Sequence, residues 1–520
     1  MSCVKTNSCY FPELKFVNIF IVNKPIKKFA AVSAAALLLA GCAVGPDFKR
    51  PEPPSVKAYT AAPLPKNTAA TDTGQSQKFM EGGDIPAQWW ELFHSPALNQ
   101  LVERALKANP NLQAAQATLR QAQENVYAAQ GALYPSVNAN GSAARQKFIG
   151  AEFGQPSYPG SIFSLYGASV SVSYGLDLFG AARRTLEAMG AQQEFEGFQL
   201  EGAYLTLTSN VVTTAVQDAS LRAQIAATRE IIDAESQQLD VLQNQFKVGG
   251  IALSAVLVQK TLLAQARANL PLLEKQLALI HNQLATLAGS FPSENEAAAF
   301  DLEMLQLPQE LPVSLPSKLV EQRPDIRAAE SMLHAASAQI GVATANMFPQ
   351  LTLSGNAGSM ATTPGGLFSA GSGVWSLGAN IAQPIFRGGT LLHEKRASVA
   401  AYDAAAAQYR SVVLSAFQDV ANVLDAMQAD ANIFQAQTAA AQSAGESLDI
   451  ARKQYSIGAS SYLALLNAQQ AYQQTRIALA QARASRYADT AALFQSLGGG
   501  WWNRDNTAVT VSQKPAEGKP

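Results

Sequence analysis

The sequence predicts a mixed, mainly α fold in which one structural unit is used twice, each copy supplying two membrane strands and two long helices. Three observations carry this. The stretch NPNLQAAQATLRQAQENVYAAQGALYP, Asn109 to Pro135, returns as RPDIRAAESMLHAASAQIGVATANMFP, Arg323 to Pro349. The two align without a gap and share Ala114/Ala328, Ala115/Ala329, Leu119/Leu333, Ala122/Ala336 and Ala129/Ala343. Each copy runs into sequence that alternates with a period of two residues. Each alternation then gives way to a helical pattern long enough for a rod of about 100 Å at ~1.5 Å per residue. Self-similarity of this kind marks a repeat architecture, so function should follow from the doubling.

Composition narrows the function. The 520 residues carry a formal net charge of −1 and are 48% hydrophobic, so there is material for several domains and no basic footprint for nucleic acid. His94, His281, His334 and His393 stand far apart, none four residues from another histidine or a cysteine, so metal-ligand spacing is absent. The nucleophile-elbow, P-loop and zinc-protease motifs do not occur. The expectation is a protein that is not an enzyme and needs no cofactor or metal.

In chain order, Lys24, Lys27 and Lys28 precede the short apolar run Phe29 to Ala40. That is a signal peptide, with a core too short to span a membrane. It ends Leu39-Ala40-Gly41-Cys42, which looks like a bacterial lipobox, so residues 1–41 are expected to be removed and the thiol of Cys42 lipidated. Cys3 and Cys9 leave with the leader, so the mature chain can hold no internal disulfide. Residues 42–88, rich in Pro, Lys, Thr and Ala up to about residue 80, read as an extended lipidated tether. Ordered structure is expected from Trp89, Trp90 and Phe93, followed by a helix opened by Ser95-Pro96. The repeated helices each begin with Pro in the first turn and stop at an aromatic-Pro pair.

After Pro135, SVNANGSAARQ and LYGASVSVSYGLDLF flank a Gly/Pro/Ser loop; in the second, Ala168, Val170, Val172 and Tyr174 alternate with Ser169, Ser171 and Ser173. After Pro349, LTLSGNAG and VWSLGANIAQPIF do the same, and the two strand pairs close on Phe179 and Phe386. Strands of this length, apolar on one side and small-polar on the other, suit a membrane β-barrel with a wet interior better than a soluble hairpin. The first long helix shows a seam at Leu221, Ile225, Thr228, Ile232, Glu235, Leu239, Leu242 and Phe246, a coiled-coil pattern with polar interruptions. The return helix carries Leu270, Leu273, Leu277, Ile280, Leu284 and Leu287, with Pro271 expected to kink it. The second unit repeats this from about Gly389 to Tyr455 and back to Leu497. The two reversals share Gly249/Gly458, Ala255/Ala464 and Leu257/Leu466, each Gly suited to a helix C-cap.

The domains expected are therefore a first repeat over 89–290 with strands at about 136–178, a Pro-rich linker over 291–317, a second repeat over 318–502 with strands at about 350–386, and a disordered tail over 503–520. Four strands cannot close a barrel, for which about eight are needed, and an open edge cannot sit in lipid. The barrel must be shared between two, three or four chains, and about 12 strands or more can leave a channel. Its wall continues as a helical tube. A tube of that length running from the outer membrane into the periplasm is a conduit.

Here the sequence resembles the TolC-type outer-membrane factors, in their OprM-like (NodT) lipoprotein branch. The resemblance rests on Cys42-Ala43-Val44-Gly45-Pro46-Asp47-Phe48, on WWELFHSPALNQLVERALKANPNL and LPSKLVEQRPDIRAAESML, on YSIGASSYLALLNAQ and on the closing LGGGW, and it covers essentially the whole mature chain. It implies a homotrimer, a shared 12-stranded barrel and an α-helical periplasmic tunnel. It also implies a periplasmic adaptor (membrane fusion) protein and an inner-membrane pump of the resistance-nodulation-division type as partners. Ala43 after the cysteine fits sorting to the outer membrane in that family.

The expected function is a passive exit duct for small molecules such as drugs. Type I protein secretion and a non-conducting envelope lipoprotein are the alternatives. The turns containing Val248, Gly249, Gly250 and Ile457, Gly458, Ala459 are the expected periplasmic tip and adaptor-docking site, because only there do the paired helices reverse. At the gate the sequence departs from TolC. The Tyr of the TolC lock matches Tyr455, but its Arg position is Ser460, the partner Asp position is Ala255, and the acidic constriction falls on Ala464 and Asn467. Asp449 and Arg452 are the nearest charged substitutes.

Overall fold

The computed structural model describes residues 43–70, 76–149, 154, 157, 159–294 and 300–504. The expected leader, Cys42 and residues 505–520 of the expected tail lie outside the described residues. After a short strand β1 (Lys78–Glu81) come α1 (Pro96–Ala108) and α2 (Pro110–Gln130), strands β2 (Ser136–Phe148) and β3 (Ser161–Leu176), and helices α3 (Ala181–Lys247) and α4 (Leu253–Leu287). The second half has β4 (Glu310–Val313), α5 (Pro316–Gln322), α6 (Pro324–Ala345), β5 (Gln350–Ala361), β6 (Gly373–Ala382), α7 (Thr390–Ser456) and α8 (Tyr462–Ser496). None of the described helices is long and apolar enough to cross a membrane.

The doubling is quantitative. Helices α3 and α7 each have 67 residues, and α4 and α8 each have 35. Both 67-residue helices begin after a left-handed glycine, Gly180 or Gly389. The helix starts follow from local chemistry. Pro110 and Pro324 occupy the first turn, where no backbone N–H is needed. The Asn109 side chain accepts from Asn111 N and Leu112 N at 2.9 and 3.2 Å and donates to Leu287 O at 3.0 Å. Ser95 Oγ caps α1. Helix α4 runs unbroken through Pro271.

Strands β2, β3, β5 and β6 form one antiparallel sheet in that order, so β3 against β5 joins the two repeats and β2 and β6 are its edges. Strand β6 stops at Ala382, short of the expected end near residue 386, because Pro384 supplies no ladder N–H. Phe179 and Phe386 are not equivalent in the fold. Counting from Gly180 and Gly389, Phe179 corresponds to Gly388. Phe179 stacks on Phe348 with ring centroids 4.7 Å apart, whereas Phe386 is exposed.

The core lies midway along the long helices. Trp89, Trp90 and Phe93 sit in it with Val211, Leu424, Tyr487 and Phe494, and Trp89 stacks on Phe494 at 5.4 Å. Three flanking stretches are tied to the long helices or to one another. The linker is not loose: Phe300, Leu302, Leu305, Leu311 and Val313 are buried in the core, and Leu305 O accepts from Tyr487 Oη at 2.7 Å. The tether is not free, since β1 pairs in parallel with β4 and Tyr59 Oη donates to Ser314 O at 2.9 Å. At the end of the described residues, Asn503 donates to Asp84 and to Ile85 O, and Arg504 pairs with Glu201 over the Tyr204 ring. In each case a few isolated apolar or charged groups find partners far away in sequence, a pattern without local periodicity.

Candidate functional site

The membrane sheet has two chemically different faces. Opposed residues share a face in an antiparallel pair. Val137, Val172 and Gly355 are in line, as are Ala139, Val170, Ala357 and Trp375, with Leu351 opposite Ile381. The other face carries Asn138, Asn140, Ser169, Ser171, Ser173, Thr352, Asn356, Ser376 and Asn380. Asn140 Nδ2 donates to Ser171 Oγ at 3.0 Å on that polar face. One surface is fit for lipid and the other for water, and both edges keep unpaired backbone groups.

The residues after Cys42 are bound where strand becomes helix. Val44 N donates to Phe179 O at 3.0 Å. Arg184 donates to Val44 O at 3.3 Å and pairs with Asp47 and Glu187 at 2.7 Å each. Phe48 stacks on His334 at 4.4 Å, and Arg50 pairs with Glu330 at 2.9 Å. Gly341 makes this approach possible, since a Cβ there would meet Val44 O at 3.0 Å and Arg184 Cγ at 2.8 Å. The first described residues, Ala43 to Arg50, are thereby held at the base of the sheet.

At the opposite end of the rods the two reversals have the same geometry. Gly249 N donates to Phe246 O and Gly250 N to Gln245 O, at 2.9 and 2.8 Å; Gly458 N and Ala459 N do the same to Tyr455 O and Gln454 O at 3.0 and 2.8 Å. These are paired Schellman caps, with φ of 77° and 73° at the two glycines. Val248 and Ile457 stand beside them 83% and 78% exposed, equivalent apolar side chains left largely uncovered by the described residues.

Just inside the tip, three contacts tie the second helical pair to the first. Tyr455 Oη donates to Gln245 Oε1 at 3.0 Å. Tyr462 Oη donates to Gln259 Oε1. Gln473 Nε2 donates to the Glu235 carboxylate at 2.8 Å, and Gln259 donates both to that carboxylate and to Glu235 O, the latter at 2.9 Å. Glu235 is 2% exposed. Burial, then the nearby Glu235 and Tyr455, raise the Tyr462 phenol above its ordinary range, so it remains a donor. Tyr455 also packs against Leu448, Ala451 and Leu465, with its ring 6.0 Å from that of Tyr462.

Of the gate candidates from sequence, only Tyr455 joins this network. Asp449 and Arg452 are exposed and make no ion pair among the described residues, and Ala464 and Asn467 are exposed in the isolated chain. The sequence reading missed Gln245, Gln259, Tyr462 and Gln473. Glu235 was visible as an interruption of the heptad seam, and a carboxylate at a seam position demands buried donors.

Comparison with known proteins agrees with this architecture. The profile of the family described as outer membrane efflux protein matches residues 101–290 and 315–499. The probable efflux pump outer membrane protein TtgC of Pseudomonas putida KT2440 is 30% identical over 488 residues, spanning 93% of this chain and 97% of that protein. The pyoverdine export outer membrane protein OpmQ of Pseudomonas aeruginosa PAO1 is 32% identical over 453 residues, 85% and 94% of the two chains. Among solved structures, the open state of the Neisseria gonorrhoeae MtrE outer membrane channel superposes with a TM-score of 0.76 at 26% identity, covering 88% of this chain and 99% of that one. The OprN outer-membrane channel gives 0.79 at 28% identity, covering 88% and 100%.

Proposed function

Since the chain belongs to the outer membrane efflux protein family, and is therefore an outer-membrane efflux channel and not an enzyme, we propose that three copies form one passive duct for small molecules. The observation that carries this reading is the four-stranded sheet with two open edges and one water-compatible face, continued directly by two 67-residue helices. Three such sheets give a 12-stranded barrel, wide enough for a channel. The Cys42 lipid is an auxiliary anchor beside it. A periplasmic adaptor docks on the exposed Val248 and Ile457 turns, and an inner-membrane pump of the resistance-nodulation-division type drives transport. Small molecules are favoured over protein cargo because the relatives include an efflux pump protein and a pyoverdine export protein.

Deleting the gene tests this reading. Cells should retain more of a fluorescent pump substrate, and the wild-type gene should restore export. Equal retention in deleted and complemented cells, with the adaptor and pump expressed, would contradict it.

A further inference from the structure

We propose that Arg145 and Lys147 form a binding site for the phosphate of a lipid headgroup in the outer leaflet of the outer membrane. The membrane sheet sorts its charges against solvation. Strands β2, β3, β5 and β6 contain no Asp, Glu or His, and Arg145 and Lys147 are their only Arg and Lys. Both lie on β2 in line with Val137 and Ala139, on the face fit for lipid. The face fit for water carries no charge. A cation costs little on a wet surface; on the lipid face it costs most at the bilayer midplane and least near the interfaces. Two cations on the dry face and none on the wet one therefore call for a partner at their depth.

The register gives that depth. Leu176 opposite Leu351, and Leu351 opposite Ile381, mark the end of the apolar face nearest the helices. Arg145 stands opposite Ser164 and Lys147 opposite Ile162, beyond Tyr166, which faces Ala143. At ~3.3 Å per residue and a strand tilt of about 40°, Tyr166 lies about 25 Å from Leu176 along the membrane normal, Arg145 about 30 Å and Lys147 about 35 Å. The apolar band of such a barrel is about 25 Å tall. Tyr166 thus closes the band as an interfacial ring, and the two cations stand in the headgroup layer beyond it. The long helices leave the sheet at its other end, towards the periplasm, so this layer is the outer one.

The two side chains are exposed, and neither is paired with a carboxylate among the described residues. Two residues apart on one strand, they share a face and can converge on one phosphate. The guanidinium offers paired N–H donors and the ammonium a compact charge. Ser164, opposite Arg145, adds a hydroxyl to the same face. The repeat contains its own control: aligned on Pro135 and Pro349, the matching positions are Ser359 and Ala361, so the charges are no by-product of the strand pattern. A phosphate on a solute inside the duct would meet the other face, which selects a lipid headgroup as the occupant. The site rests on the sheet lying in the outer membrane and not on what the duct carries.

Full-length channel purified in neutral detergent tests the site, with dihexanoyl phosphatidic acid as probe and the rise in Tm as readout. The variant Arg145→Gln with Lys147→Gln should need at least about tenfold more of the probe for the same rise, because charge-assisted contacts are lost. It should also carry less lipopolysaccharide phosphate out of the outer membrane than wild type. Arg145→Gln and Lys147→Gln alone should fall between, and they decide the matter if the double variant does not assemble. Dihexanoyl phosphatidylcholine and inorganic phosphate at the same concentrations should leave the Tm unmoved. Equal titration of wild type and variants, with normal bilayer currents from both, would overturn the site alone. A Tm rise with inorganic phosphate equal to that with phosphatidic acid would make it a free-anion site and overturn the lipid assignment. Wild-type protein missing from the outer-membrane fraction would overturn the site and the duct together.

Discussion

The donor from Gln473 to Glu235 should hold the resting tip closed, and Gln473→Leu should open it. The substitution keeps the volume of the side chain and removes one of the donors on a carboxylate that is 2% exposed. While the two helical pairs are together, water cannot replace that donor; once they part, it can. The loss therefore falls on the closed state alone, which is what a gate contact requires. A hydrogen bond to a charged group contributes about 1.5–3 kcal/mol. Three copies opening together would sum to about 4.5–9 kcal/mol by symmetry. At ~1.4 kcal/mol per decade, that shifts the closed-to-open ratio by about three decades or more. The readouts are conductance in planar bilayers and vancomycin sensitivity of cells, with outer-membrane trimer levels as control. Conductance and sensitivity identical to wild type at equal trimer levels would refute the role of Glu235.

Other outcomes follow from the same geometry. Tyr455→Ala removes both the bond to Gln245 and an aromatic anchor, so it should raise conductance and vancomycin sensitivity more than Asp449→Ala or Arg452→Ala; the reverse order would make the gate electrostatic. Cys42→Ser should abolish lipid labelling yet leave heat-resistant trimers in the outer membrane, because the sheet supplies its own apolar belt; a wholly soluble monomer would contradict the strand assignment. Bulky charged residues at Gly249 or Gly458 find open space but a left-handed backbone, a cost of about 1–2 kcal/mol, so they should block efflux while outer-membrane levels hold; unchanged drug resistance with both replaced would remove the docking assignment. Asp489 is pushed up to about 7, by burial first and then by the neighbouring Asp430 carboxylate, with Arg486 acting in the opposite direction. The folded chain then keeps a proton that the unfolded chain releases near pH ~4. Stability should fall as pH rises from about 4 to 7, and Asp489→Asn should flatten that fall and raise the Tm at pH 8; a parallel Tm profile for the variant would refute the assignment.

Much of the architecture was legible because it is periodic. The two long rods, their reversals at Gly249 and Gly458 and the alternating strands are all set by local spacing and capping, and the structure places their ends within a few residues of the pattern. What was not legible is non-local. Phe300, Leu302 and Leu305 are single apolar residues in a stretch that reads as linker, and β1 meets β4 across more than two hundred residues. The pair is four residues long and includes Pro312, so no alternation could announce it. The site splits the same way. Tyr455 was singled out by the family resemblance, as the match to the Tyr of the TolC lock, and the small residues of both reversals by symmetry. The partners of Glu235 were hidden because Gln259 and Gln473 sit among many exposed glutamines on Ala-rich helices, and only packing distinguishes them.

A duct must conduct. Single-channel recording of purified, folded trimers in lipid bilayers tests it most directly. Discrete ionic currents are expected, small at rest and larger when Gln473→Leu or Tyr455→Ala removes a tip contact. A preparation that is trimeric and folded, yet passes no current in either the wild-type or the tip-loosened form, would contradict it and leave a strut across the periplasm in place of a duct.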